Sequence, residues 1–111
     1  MTKAHKHIRP AAAATLFAAL GDEVRLSLVA RLCAAGPLSI TGLASGASIT
    51  RQAVSKHLRV MERAGLVHSM RQGRECLWRM QPRNLAQARR YLKQISAQWE
   101  DALVRLKEYV G

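Results

Sequence analysis

The stretch Thr50 to Arg79, TRQAVSKHLRVMERAGLVHSMRQGRECLWR, leaves the chain few ways to fold. Val54, Leu58 and Met61 recur at helical spacing with Ala53 beside them, so a helix here has one apolar stripe to bury. Arg51, Gln52, Ser55, Lys56, Arg59 and Arg63 fall on its remaining surface. Thr50 is placed to cap the first turn, because its hydroxyl can accept from amides that have no partner inside the helix. Ala64-Gly65 ends the helix, since glycine takes the left-handed conformation that a C-terminal cap uses. Beyond it, Leu66 to Arg71 and Glu75 to Met80 flank Gln72-Gly73-Arg74, the pattern of a hairpin whose tip carries Arg71 and Arg74.

A basic helix face is often only a solvated surface. Here it is unbalanced: between Thr50 and Arg74 six cations (Arg51, Lys56, Arg59, Arg63, Arg71, Arg74) stand against one acid, Glu62. The 111 residues together carry a formal net charge of +11. Such a surface attracts polyanions and repels a second copy unless an apolar interface compensates. Double-stranded DNA is the leading partner and an anionic membrane surface the lesser one. Just upstream, Ser39 caps a short predicted helix, Ile40 to Ser45, packed by Leu43 and Ala44, and Gly46-Ala47-Ser48 forms a turn. Gly42 inside that helix costs it about 1 kcal/mol relative to alanine. Helix, turn, basic helix and basic hairpin together predict a mainly α winged helix-turn-helix with a small β-hairpin wing.

The flanks read as further helices. Met1 to Arg9 is a basic N-terminal arm, with a weak His5-x-His7 pair, and residues 10 to 111 form a single domain. Pro10 suits a first helical turn, and Ala11 to Leu20 continues it with Leu16, Phe17 and Leu20 on one side. That opening has the basic start and apolar run of a secretory signal, yet it passes into GDEVRLSLV without a cleavage site, so a helix is expected. Asp22 caps Glu23 to Ala35, striped by Val24, Leu28, Leu32 and Val29, and Gly36-Pro37 stops it. Leu38 is expected to pair with the base of the wing. After the wing Pro82 stops the strand and Asn84 caps a last helix reaching Val110. Its apolar positions form heptads: Leu85, Leu92, Trp99 and Leu106 in one series, and Ala88, Ile95, Ala102 and Tyr109 in the other. A small domain cannot cover that much apolar surface. The expectation is a homodimer through the first and last helices, using Leu16, Phe17, Leu20, Leu85, Leu92, Ile95, Trp99 and Leu106.

Taken together, ITRQAVSKHLRVMERAGLV with RQGRE downstream and LFAALGDEVRLSLVARL upstream resembles the ArsR-type winged-helix repressor family. The likeness runs from about Thr15 to Met80, and Ala-Val-Ser-Lys-His-Leu is among its more specific parts. It implies a bacterial or archaeal homodimer that represses transcription by binding an operator, which the two recognition helices of a dimer would make near-palindromic. With only two cysteines, a reducing cytoplasm is the default compartment. It also suggests that Arg51, Gln52, Ser55 and Lys56, next to the capping Thr50, enter the major groove. Gln52 and Arg51 have the donors for adenine and guanine edges. Arg59 and Arg63 suit phosphates, Arg74 a minor groove and Arg71 the flanking backbone.

Many members of that family sense metals, through cysteines in the helix before the turn or through acids and histidines on the last helix. Here the first stretch is LSITGLA, without a ligand, and no histidine follows His68, so neither a metal site nor a cofactor is expected. Cys33 and Cys76 are too few for a disulfide framework and read most simply as one buried small residue and one strand residue. As a possible thiol switch they give the alternative of a redox- or sulfur-responsive repressor, with Cys76 lying among Arg71, Arg74 and Arg79. Catalysis has no support: no serine or cysteine is placed for activation by His57 or His68, and no glycine-rich phosphate loop occurs. No apolar run approaches the roughly 20 residues of a membrane span. The remaining rivals are a non-specific architectural DNA-binding protein and a module whose long helix binds another chain. Nothing in the sequence identifies an effector.

Overall fold

The computed structural model describes residues 9–110, which places the basic arm and its His5-x-His7 pair outside the described residues, Arg9 excepted. Five helices and one hairpin follow in order: α1 Pro10–Leu20, α2 Glu23–Ala35, α3 Ile40–Ala44, α4 Arg51–Arg63, β1 Val67–Gln72, β2 Glu75–Met80 and α5 Pro82–Val110. Three of the early helices start where a side chain can satisfy a free amide. Asp22 accepts from Arg25 N, Ser39 from Gly42 N and Thr50 from Ala53 N. Pro10 occupies the first turn of α1, where its missing N–H removes nothing.

The core is aliphatic. Leu43, Val54, Leu58, Met61 and Leu66 are wholly buried, joined by Leu16, Ala19, Leu28, Leu32, Val67, Trp78 and Ala88. The apolar stripe predicted for α4 is therefore the centre of the domain. Leu16 is corrected by this packing: at 4% exposure it belongs to the core of its own chain and is not presented to a partner.

The end of α4 is built as a Schellman motif. Leu66 N donates to Met61 O and Gly65 N to Glu62 O, both at 2.9 Å, with Gly65 at φ +81°. Leu66, predicted as strand, lies ahead of β1 and is instead wholly buried, the apolar position that accompanies this cap. The hairpin is one residue longer at its tip than predicted. Gln72 pairs with Glu75, so Gly73-Arg74 alone forms the turn, with Gly73 at φ +64° and Arg74 negative, as a type II′ turn requires. Leu38 pairs with Trp78 at the base of the wing, as expected.

Asn84 does not cap α5. The helix starts two residues earlier, at Pro82, with Leu85 N donating to Gln81 O at 3.1 Å. The Asn84 amide turns outward from α5 and donates to Gly65 O at 2.6 Å, tying the start of α5 to the end of α4. At 29 residues, α5 is about 43 Å long and outruns the core it starts on. Its first turns pack on α1, where the Phe17 and Tyr91 rings lie 5.9 Å apart, while its second half carries no buried residue.

Candidate nucleic-acid interface

Burying Val54, Leu58 and Met61 fixes which side of α4 faces water. At 100° per residue, Arg51, Gln52, Ser55, Lys56, Arg59 and Arg63 span an arc of about 140° on the outward side. All are exposed except Ser55, which is half-buried. Thr50 stands at the head of that arc and uses its hydroxyl as acceptor for Ala53 N at 3.0 Å. The amides of the first turn and the positive end of the helix dipole add to the side-chain charge there. On the hairpin, Arg74 occupies the turn and Arg71 pairs across the strands with Cys76, all three exposed. The structure gathers the α4 residues on one face and sets the two wing arginines on a separate projection joined to it through Ala64, Gly65 and Leu66.

Two arginines that sequence reasoning passed over have a different task. Arg31 directs both terminal nitrogens at α3, to Gly42 O at 2.8 Å and to Leu43 O. It neutralises the negative end of a five-residue helix that has little packing of its own. Arg25 reaches the Ala19 carbonyl at the end of α1 at 2.5 Å and stands 3.4 Å from His57 Nδ1. Asp22 Oδ2 lies 3.9 Å from the same ring nitrogen. The Arg25 backbone N–H, then the Arg25 charge, hold the Asp22 carboxyl below the ordinary aspartate value against the opposing effect of desolvation. Asp22 was legible as a cap; its neighbourhood to His57 was not, since the two lie far apart in sequence.

Cys33 is exposed, which corrects its reading as a buried small residue; Cys76 is exposed too, and both are free thiols on separate elements. Among the described residues no group of three or more His, Cys, Asp and Glu side chains is placed to hold a metal ion. No helix among them is long and apolar enough to cross a membrane.

The residues expected at an interface divide three ways. Leu16 is core; Phe17, Leu20, Leu85 and Ile95 are half-buried; Leu92, Trp99 and Leu106 are 54%, 68% and 56% exposed. Leu103, Val104, Tyr109 and Val110 extend the uncovered surface. Phe17, Leu20, Pro82, Leu85, Ala88 and Leu92 line an apolar groove of about 510 Å³ between α1 and α5.

Residues 20–69 match the sequence profile of a helix-turn-helix domain. The chain is 36% identical to a solved ArsR-like transcriptional regulator from Rhodococcus sp. RHA1, covering 89% of this chain and 92% of that one, with a TM-score of 0.74. It is 39% identical over 71 residues to the HTH-type transcriptional regulator Rv2034 of Mycobacterium tuberculosis, a match spanning 64% of this chain and 65% of that relative. The homodimeric winged helix-turn-helix DNA-binding domain Mb0332 from Mycobacterium bovis has the same fold, at 23% identity and a TM-score of 0.63 over 78% of this chain and 79% of that one.

Proposed function

Since the chain belongs to the ArsR family, and is a transcriptional regulator with a helix-turn-helix DNA-binding domain, we propose that it is a homodimeric repressor reading a near-palindromic operator. The observation that carries this reading is the outward arc of α4. It sets Arg51, Gln52, Lys56, Arg59 and Arg63 in solvent on a helix whose other side is locked by wholly buried Val54, Leu58 and Met61. A rigid helix with donors near its N-terminus suits a major groove, where Gln52 and Arg51 can pair with base edges and Ser55 and Lys56 support them. Arg59 and Arg63 neutralise phosphates further along. Arg74 at the wing tip enters the neighbouring minor groove and Arg71 rests on the backbone.

Dimerisation supplies the two-fold symmetry. The uncovered Leu92, Trp99 and Leu106 form the apolar contact that a chain of formal charge +11 needs to tolerate its own copy. A dimer covering a promoter competes with polymerase for the same DNA, so repression is its direct consequence. The domain proper is residues 10–111, preceded by a basic N-terminal segment, residues 1–9.

The test is a contrast between two classes of variant, on an operator obtained by sequencing DNA that crosslinks to the protein. Gln52→Ala should cost about 1–3 kcal/mol per half-site on the operator and almost nothing on random DNA. Arg59→Ala should weaken both, with the salt slope falling by about one unit for each phosphate no longer neutralised. If both variants weaken both DNAs by the same factor, α4 reads no bases and the chain is a DNA-coating protein.

A further inference from the structure

His57 stands on α4 but away from the exposed arc, half-buried against the corner where α1 gives way to α2. Its Nδ1 lies 3.4 Å from Arg25 Nη1. Arginine can only donate, so in this contact the ring accepts at Nδ1 and carries its proton on Nε2. The same guanidinium donates through Nε to Ala19 O at 2.5 Å and through Nη2 toward Ala18 O at 3.5 Å. Ala18 and Ala19 lie in the last turn of α1, where Ala18 O also accepts from Gly21 N at 3.2 Å and the carbonyl end of the helix attracts a cation. Asp22, 3.9 Å from His57 Nδ1, accepts from Arg25 N at 3.0 Å and fixes the turn of α2 from which Arg25 projects.

One planar fork thus holds α4 and the end of α1 together. From there the path continues without a gap, because Phe17 on α1 packs against Tyr91 on α5. The helix proposed to face DNA and the helices proposed to face a partner copy are therefore joined through Arg25.

We propose that Arg25 and His57 are positioning residues for operator recognition, setting the angle of α4 against α1 and so the separation of the two recognition helices in the dimer. The inference rests on the dimeric, sequence-reading function above. Its geometric consequence is specific. Inserting one base pair between half-sites moves one of them by about 3.4 Å and turns it by about 34°. A dimer with rigidly held recognition helices tolerates that poorly, and one with a loosened joint follows it.

The test uses the full chain, the crosslinked operator, and operators with one base pair added or removed between the half-sites. Wild type should lose about tenfold for either change, comparable to one mismatched base pair. Arg25→Lys keeps the charge without the fork, and His57→Leu removes the acceptor. Each should reduce the spacing preference to about two- to threefold while random-DNA affinity stays unchanged. The double variant should be no flatter than either single one, because both break the same joint. His57→Asn, whose Oδ1 takes the place of Nδ1 as acceptor, should restore the preference. Undiminished spacing preference in both single variants overturns the proposal, as does equal weakening on operator and random DNA. Should Arg25→Lys prove unfolded by circular dichroism, the His57→Leu and His57→Asn pair decides. Failure to recover any preferred operator would instead sink the sequence-reading function, and the inference with it.

Discussion

Gly65 offers a measurement in which two physical effects can be separated. Its φ of +81° is left-handed, and a Cβ added there would stand 2.5 Å from Asn84 Nδ2. Gly65→Ala therefore meets a backbone penalty of about 1–2 kcal/mol. It also displaces the Asn84 amide from its 2.6 Å bond to Gly65 O, worth about 1 kcal/mol more. The total is about 2–3 kcal/mol by these terms. Asn84→Ala alone should cost about 1 kcal/mol. Once Asn84 is gone, nothing obstructs the new Cβ, so Gly65→Ala should cost only the backbone part in that background. The expected coupling between the two substitutions is about 1 kcal/mol, with the double variant more stable than additivity requires. Urea unfolding followed through the fluorescence of the buried Trp78 measures all four proteins. Protein concentration has to be held constant, because assembly raises apparent stability by mass action. Equal costs for Gly65→Ala with and without Asn84 would refute the reasoning and leave only the positive φ as the need for glycine.

Three further outcomes are expected. Leu92→Glu with Trp99→Glu should yield a monomer by light scattering, and a wild type already monomeric at tens of micromolar would remove the α5 interface. Zinc, cadmium and arsenite should leave DNA affinity unchanged, as should Cys33→Ser and Cys76→Ser under reducing conditions; a stoichiometric zinc site seen by calorimetry together with weakened DNA binding would contradict this. The Asp22 carboxyl is held below its ordinary value in the folded chain, so its stabilisation is present above the unfolded pKa and is lost as pH falls through the folded one. Asp22→Asn should therefore lower the urea midpoint at neutral pH and match wild type well below about pH 4; a gap that persists in acid would show that its role is not ionic.

The parts of the fold that were legible in the sequence are those in which one residue's chemistry decides a local outcome. Thr50, Ser39 and Asp22 satisfy the first amides of α4, α3 and α2 as their positions predicted. The stripe Val54, Leu58 and Met61 is wholly buried, and Gly65 takes the left-handed cap. Errors arose where a residue had two possible partners at different range. Asn84 has the chemistry of an N-cap, but Pro82 already supplies a good first turn for α5, which frees the amide to reach Gly65 across the chain. Leu16 lies on the same side of α1 as Phe17 and Leu20 by period, but the core takes it together with Ala19. Cys33 neighbours the buried Leu32, and a step of 100° around α2 is enough to carry it into solvent.

Charge shows the same limit in a form that bears on function. Arg25, Arg31, Arg51 and Arg59 are equivalent in a net charge of +11. In the fold, Arg25 and Arg31 lie over the carbonyl ends of α1 and α3, where each guanidinium replaces water at a partly buried helix terminus. Arg51 and Arg59 project from α4 into solvent, where their charge is available to a polyanion. The distinction follows from the side of the helix on which each residue falls relative to the apolar stripe, and from whether another helix ends within reach of a long side chain. The first of these can be counted from sequence, and it placed the α4 arc. The second depends on how α1, α2 and α3 are packed in space. That dependence is why the basic residues facing outward on α4 are legible in the sequence, while the basic residues that brace the carbonyl ends of α1 and α3 are not.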